Sequence, residues 1–194
     1  MLNIIFSLAA IFILLVVTEG LWRRRKLGDE MTRKAVHISV AVFVAFWPYY
    51  MTYSQIKLLA LAFLVVIIIS RYFHIFKGMM NVKRKTLGDL FFPLSILILA
   101  ILEPQHILFT IALLNVGLAD GIAALVGKKY GKKNTYKVFG QAKSIAGSVS
   151  FVLVSFIIIV LAKHFTNENV AGLTWLNVFI VPIVLSVVEN ISVY

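Results

Sequence analysis

The stretch that decides the fold is IAGSVSFVLVSFIIIVLAKH, from Ile145 to His164. It carries no charged residue before Lys163, and serine is its main polar residue. A helix needs about 20 mostly apolar residues to cross a bilayer, and this run is long enough. It therefore predicts a membrane-spanning helix.

The composition of the whole chain supports the same interpretation. The 194 residues are 61% hydrophobic and 14% charged, with a mean hydropathy of +0.95. A soluble domain is about 45–50% apolar and about 25% charged. The sequence has no cysteine, which excludes disulfides and thiolate metal sites. We predict one membrane domain covering residues 1–194, whose first apolar run is retained because nothing basic precedes it.

The fold class predicted is an all-α integral membrane protein, a bundle of six to seven transmembrane helices. The second and fourth apolar runs are short, which leaves the number open. Asp29 is a plausible N-cap for the second run, and Pro48 ends it. The predicted spans are Leu2–Trp22, Thr32–Trp47, Gln55–Phe76, Leu87–Leu102, His106–Val126, Ile145–His164 and Leu173–Tyr194.

The basic residues predict the orientation. All of the 19 Lys and Arg residues except Lys57 and Lys163 fall in the loops on one side of this arrangement. By the positive-inside rule those loops are cytoplasmic and the N-terminus is outside. A net charge of +11 placed between apolar runs favours anionic lipid head groups and phosphorylated ligands over nucleic acid.

Most of the embedded polar side chains fall at the cytoplasmic depth. A carboxylate within a span is costly, so Asp120 is a functional candidate by default, although a buried salt bridge that serves packing is the alternative. Gly117 and Gly121 flank it at a spacing typical of close helix packing. The other residues at this depth include Glu19, His37, Asp89, Asn115, Ser144, Ser148, Glu189 and Asn190.

Two clusters have the chemistry of an anion site. Lys143, Ser144, Gly147 and Ser148 open the sixth span, where a cation, hydroxyls and free N–H groups suit phosphate. N-capping of that helix is the alternative role of the serines. Arg33 and His37 share a helical face; interfacial anchoring of Arg33 and packing of His37 at the helix end remain open alternatives.

The sequence disfavours two familiar sites. The glycine spacing of GIAALVGKKYGKK, residues 121–133, does not fit a P-loop, so this segment is predicted to be a flexible basic loop. The four histidines fall at different depths and cannot converge on zinc. Asp89, Asp120 and Glu189, with nearby oxygen donors, suit Mg²⁺ instead.

Several segments resemble one enzyme family. LADGIAALVGKKYGKKNTYKVFGQAKSIAGSVSF, residues 118–151, resembles the CTP-dependent lipid-alcohol kinases, which include dolichol kinase, phytol kinase and the yeast-type diacylglycerol kinase. RKAVHI at 33–38, LGDLFFPLSI at 87–96 and VEN at 188–190 look like further elements of that pattern, in the same order. The chain stops at Tyr194, just before the family usually continues, so we expect a truncated C-terminus.

The resemblance implies transfer of the γ-phosphoryl group of CTP to the hydroxyl of a polyprenol, dolichol, phytol or diacylglycerol at the cytoplasmic face. It assigns binding of the triphosphate to cations and to the start of the sixth span. It gives Asp120 the role of binding Mg²⁺ or of accepting the proton of the alcohol. It gives the second span the role of closing the site. The implied residues are Lys128, Lys132, Lys143, Ser144, Gly147, Ser148 and Arg33 for phosphate, Asp120, Asn115 and Glu189 for metal, and Asp120 with His37 for catalysis. The implied partners are the lipid alcohol, the nucleotide and the bilayer, the plasma membrane in a prokaryote, and a homodimer is left open.

Three alternatives accompany this hypothesis. Phosphatidate cytidylyltransferases carry a similar segment, but their Ser-Pro-x-Lys-Thr signature differs from the Lys143-Ser144 element here. A transporter predicts polar residues at both depths and internal repeats, and neither pattern is visible. A non-enzymatic membrane scaffold with a basic face is the third.

Overall fold

The structure, a computed structural model, describes residues 2–24, 29–73, 88–139, 141–166 and 173–192. Within these ranges nearly all residues are helical, and a short β-hairpin is the exception. The chain divides into two compact units, one ending at Phe109 and one beginning at Thr110. The assignment of residues 1–194 to a single functional domain stays a prediction.

The first unit consists of long apolar helices. Trp47 and Pro48 are buried in a 3₁₀ turn that follows the second helix, so this helix ends just before the proline, as the sequence predicts. The described helices are α1 (Leu2–Arg23), α2 (Asp29–Ala45), α3 (Tyr53–Phe73), α4 (Gly88–Leu102) and the beginning of α5 (His106–Leu114).

Helices α3 and α4 are antiparallel neighbours joined by polar contacts at one end. Lys57 Nζ lies 2.9 Å from Glu103 Oε1, and the Tyr53 hydroxyl donates to the carbonyl of Pro104. The ion pair is partly exposed and contributes at most about 1 kcal/mol. The ion pair mainly positions the helices, because it holds the start of α3 beside the end of α4.

The second unit contains the end of α5 and the segments that follow it. A π-helical turn, Asn115–Ala119, joins α5 to α6 without a break. The remaining elements are α6 (Asp120–Tyr130), a 3₁₀ turn (Gly131–Lys133), the strands β1 (Thr135–Val138) and β2 (Gln141–Ser144), α7 (Ile145–Phe165) and α8 (Trp175–Ile191). The prediction of a flexible basic loop over residues 121–133 is wrong, because α6 continues to Tyr130 and the 3₁₀ turn covers Gly131–Lys133.

Glycines allow α6 and α7 to approach closely. A Cβ added to Gly147 would lie 3.1 Å from the carbonyl oxygen of Ala123 and 3.5 Å from Gly127 Cα. A Cβ on Gly127 would lie 2.8 Å from Ser144 Oγ, and one on Gly131 would overlap both Cβ and Oγ of Ser144. The Gly-x-x-x-Gly spacing of residues 127 and 131 thus forms a cradle for the serine that begins α7.

We expect Gly131→Ala to destabilise the protein by about 1–3 kcal/mol, because its Cβ meets the Cβ of Ser144, which cannot rotate away. Gly20→Ala is the matched control, since no atom lies within 4 Å of a Cβ there. A helical Gly→Ala change without a clash gains about 0.5–1 kcal/mol. The midpoints of thermal unfolding in detergent should therefore move in opposite directions, and a shared direction would contradict the cradle.

The described helices define an all-α membrane protein. Four are long and apolar enough to cross a bilayer, namely Leu2–Leu21, Tyr53–Ser70, His106–Lys133 and Ile145–Phe165, and three are shorter, namely Lys34–Tyr49, Leu90–Leu102 and Trp175–Ile191. Every predicted span overlaps one of these helices, and the predicted ends at Phe76, Leu87 and Tyr194 lie outside the described residues. The exposed residues Val149, Leu153, Ile157 and Leu161 form an apolar stripe along α7 that suits lipid. The number of crossings and their orientation stay predictions.

Candidate functional site

The β-hairpin of the second unit organises the candidate site. Its antiparallel register places Tyr136 opposite Lys143, with Val138 opposite Gln141. Residues directly opposite in such a pair project from the same face. Tyr136 and Lys143 therefore leave the hairpin together, and both contact the C-terminal end of α8.

Lys143 makes an ion pair with Glu189. Its Nζ contacts Glu189 Oε1 and also donates to the Glu189 backbone carbonyl at 3.1 Å. The two side chains are only 16% and 15% exposed, so the pair is largely shielded from water. The C-terminal end of α8 also favours a cation at this position, because the last backbone carbonyls of a helix lack helical partners.

Tyr136 joins a three-membered hydroxyl and amide cluster. Its hydroxyl lies 2.6 Å from Ser148 Oγ and donates to Asn190 Oδ1 at 2.5 Å. Ser148 Oγ is also 3.1 Å from Asn190 Oδ1, and Asn190 Nδ2 donates to the Ser186 carbonyl at 2.8 Å. The hairpin, α7 and α8 are therefore fastened at one point, beside the ion pair.

We expect Tyr136→Phe to lower the free energy of unfolding by about 1–2 kcal/mol, because two partly buried partners lose their hydroxyl contact. Tyr130→Phe changes the same atom at a position that is 64% exposed, and it should stay within about 0.5 kcal/mol of the parent. Thermal unfolding in detergent measures both. Equal midpoints for the two variants would show that the Tyr136 cluster does not fasten the hairpin.

Ser144 and Gly147 hold the start of α7. Ser144 is the N-cap, and its Oγ accepts a hydrogen bond from the Gly147 N–H at 3.1 Å. This geometry confirms the N-capping role that the sequence offered for this serine. Phosphate binding at the same N–H groups stays a prediction, and a bound phosphate would share or replace the serine as acceptor.

Asn115 and Asp120 lie at the two ends of the π-helical turn. The Asp120 N–H donates to the carbonyl of Asn115, which places residue 120 one wide turn after residue 115. Asn115 Nδ2 donates to the Ile111 carbonyl at 2.8 Å, whereas its buried Oδ1 has no hydrogen-bond partner in the described structure. Asp120 is half-buried. The Oδ1 of Asn115 and the carboxylate of Asp120 are oxygen donors of the kinds that Mg²⁺ prefers.

The described residues contain no group of three or more His, Asp or Glu side chains that could hold a metal ion by themselves. Magnesium sites in phosphoryl-transfer enzymes use one or two carboxylates and complete the coordination with water and phosphate. Asp120 with Asn115 fits that pattern. Glu189, the third predicted ligand, is engaged by Lys143.

The remaining predicted residues are placed as follows. Lys128 is exposed at the end of α6, and Lys132 is exposed in the 3₁₀ turn. His37 belongs to the first unit, where its ring packs edge-on against Phe92 with centroids 4.9 Å apart. Arg33 lies in α2 and Asp89 in α4, and their side chains fall outside what the structure describes.

Sequence reasoning missed Tyr136 as a site residue and noted Asn190 only for its depth. The signal for the hairpin was present, since TYKV and QAKS flank a Phe-Gly pair between two alternating segments. The hairpin motif is short, and the two apolar spans on either side of it give a much stronger hydropathy signal. The contact of Tyr136 with Asn190 joins residues 54 positions apart and has no local signal.

The fold and the site define a helical membrane protein in which a lysine–carboxylate pair, two hydroxyls and an amide meet at a hairpin between two helices. The sequence is 34% identical over 161 residues to phytol kinase from Synechocystis sp., across 78% of this chain and 66% of the relative. The chain spans just under two thirds of that relative's length. No protein-family model matches the sequence. No solved structure matches the chain.

Proposed function

We propose that the chain transfers the γ-phosphoryl group of CTP to the hydroxyl of a membrane lipid alcohol, with phytol as the first acceptor to test. The observation that carries the proposal is the homology to phytol kinase. The choice of CTP as donor and of the cytoplasmic side as the face of the site comes from the family resemblance and the loop charges. The apolar helices suit an acceptor that keeps its tail in the bilayer.

Phosphoryl transfer depends more on where the protein places charged groups than on covalent catalysis. A bond forms between the alcohol oxygen and the γ-phosphorus, and the bond from that phosphorus to the β,γ-bridging oxygen breaks, leaving CDP. The proton of the alcohol must leave, and negative charge develops on the phosphoryl oxygens. The site therefore needs cations, N–H or hydroxyl donors, and a carboxylate.

The second unit offers these groups. In the proposal, Lys143, Lys128 and Lys132 hold the triphosphate, and the start of α7 adds donors from Ser144, Gly147 and Ser148. Asp120 accepts the proton of the alcohol or, with Asn115, holds a magnesium ion. When bound, that ion would neutralise part of the negative charge of the phosphates. His37 and Arg33 stay sequence predictions.

Three of the proposed phosphate-binding groups also contact other groups of the protein. Lys143 contacts Glu189, Ser144 caps α7, and Ser148 contacts Tyr136 and Asn190. An ammonium group has three N–H donors, so in the proposal Lys143 contacts a phosphate oxygen in addition to Glu189.

The test uses the purified full chain in mixed micelles with Mg²⁺. Transfer of label from γ-labelled CTP to phytol is expected, with diacylglycerol, a polyprenol and phosphatidate as competing acceptors and ATP as the alternative donor. Label from α-labelled CTP should remain in CDP. Its appearance in a lipid product would assign the chain to cytidylyl transfer instead, and absence of transfer to every acceptor would refute the kinase proposal.

A further inference from the structure

The tip of the β-hairpin carries a residue that the turn itself disfavours. The register leaves only positions 139 and 140 between the strands, and Phe139 has a φ of 46°. Two-residue hairpin turns with positive φ at the first loop position favour Asn, Asp or Gly. A bulky non-glycine residue there is a genuine conformational outlier, which costs free energy in the folded chain.

Packing within the chain offers little compensation for this choice. The Phe139 side chain is 73% exposed, among the highest values for large apolar residues in the described structure. A single exposed apolar residue is ordinary on a protein surface. A phenylalanine that occupies a disfavoured backbone conformation with little packing contact in the chain points to a compensating contact outside the chain.

The position of the hairpin indicates what that contact is. The hairpin connects α6 to α7, and two candidate membrane spans end and begin at its two sides, His106–Lys133 and Ile145–Phe165. Tyr136 is fastened to Ser148, which lies about one turn inside α7. Phe139 follows Tyr136 by three residues, so it reaches at most about 10 Å from that anchored point. The tip therefore stays at the level of the helix ends.

The charges around the tip match a lipid surface. The burial along β1 alternates, with Tyr136 and Val138 turned toward the protein and Lys137 exposed on the outer face. Lys132 and Lys133 are also exposed in the preceding turn. An aromatic ring flanked by lysines suits the boundary between acyl chains and anionic head groups.

We propose that the hairpin tip is a membrane anchor, in which Phe139 inserts at the head-group boundary and Lys137 and Lys133 bind anionic phospholipids. The anchor holds the tip of the hairpin at the surface of the leaflet. It thereby fixes Tyr136 and Lys143, the two residues through which the hairpin contacts α8. The partner is the bilayer itself, and no enzymatic activity is needed to detect it.

The absence of cysteine makes the test direct. Phe139→Cys and Thr135→Cys each receive the same nitroxide label in the full chain, reconstituted in vesicles of phosphatidylcholine and phosphatidylglycerol. Thr135 is exposed on the same hairpin at the end remote from the tip, so it controls for the label's own affinity for lipid. The label at 139 should collide with oxygen severalfold more than with a water-soluble nickel complex, and the label at 135 should show the reverse. Aqueous behaviour at both positions would overturn the anchor.

A second measurement excludes insertion driven by the label. Ala142 is exposed on the outer face of β2, and Ala142→Cys carries the label in chains with and without Phe139→Asn. Asparagine suits the positive φ, so the turn is retained. Loss of the ring should move the label at 142 toward water. An unchanged label at 142 would show that Phe139 does not anchor the hairpin, whatever the result at 139.

Discussion

Asp120→Asn is expected to reduce phosphoryl transfer to phytol by at least about 100-fold, because the amide neither accepts the proton of the alcohol nor carries charge for a metal ion. The change is isosteric, and Asp120 lies at the start of α6 directly after the π-helical turn. The fold should therefore survive. The measurement is the initial rate of label transfer from γ-labelled CTP at saturating acceptor, with thermal unfolding as the check of folding.

Glu103→Gln is the matched control for this variant. Glu103 follows α4 and pairs with Lys57 at a largely exposed site, and the proposal gives it no role in the chemistry. Its rate should equal that of the parent. A folded Asp120→Asn protein with full activity would remove Asp120 from the mechanism.

The dependence on Mg²⁺ separates the two roles proposed for Asp120. If the carboxylate holds the metal, Asp120→Glu should raise the Mg²⁺ concentration needed for half-maximal rate. If it accepts the proton, that concentration should stay the same while the maximal rate falls. Asn115→Leu provides a second test. Removal of the buried Oδ1 should shift the Mg²⁺ dependence only if the carboxylate of Asp120 holds the metal.

Exchange of the charges of Lys143 and Glu189 is expected to separate stability from activity. Lys143→Glu alone places two carboxylates together, and Glu189→Lys alone places two ammonium groups together, at a site that is about 15% exposed. Each single change should lower the free energy of unfolding by about 1–3 kcal/mol. The double exchange restores an opposite-charge pair and should recover most of that loss.

Activity should not recover in the double exchange. A carboxylate at position 143 repels the triphosphate, so the rate of phosphoryl transfer should stay at least about 100-fold below that of the parent. Thermal unfolding and the labelled-CTP assay on the same four proteins form a double-mutant cycle. Recovered activity would show that the pair serves packing alone, whereas a double exchange as unstable as the single changes would show that the ion pair does not support the hairpin.

The positions of the helices could be predicted because hydropathy is a local property. Each predicted span begins and ends within a few residues of a described helix, and Pro48 ends α2 as expected. The role of Ser144 as an N-cap was also open to prediction, since the capped N–H lies three residues away. These features depend on neighbours along the chain, so a single sequence contains them.

The partners of the site residues could not be predicted in the same way. Lys143 and Glu189 were each assigned to a ligand, and the structure shows that they contact one another across 46 positions. The hairpin was not predicted, and its register is what projects Tyr136 and Lys143 toward the same helix end. Such contacts depend on how α7 and α8 pack, which hydropathy does not specify.

The sequence by itself determined a basic, cysteine-free membrane protein, where its helices lie, and its resemblance to lipid-alcohol kinases. It also predicted a shared depth for Asp120, Lys143 and Glu189, because charged groups avoid the centre of the bilayer wherever the fold allows. Only the tertiary structure decided that Gly127 and Gly131 cradle Ser144, and that Tyr136 joins Ser148 to Asn190. The physical reason is that depth follows from each segment's own transfer free energy, whereas contact between segments follows from packing and hydrogen-bond geometry among residues far apart in the chain.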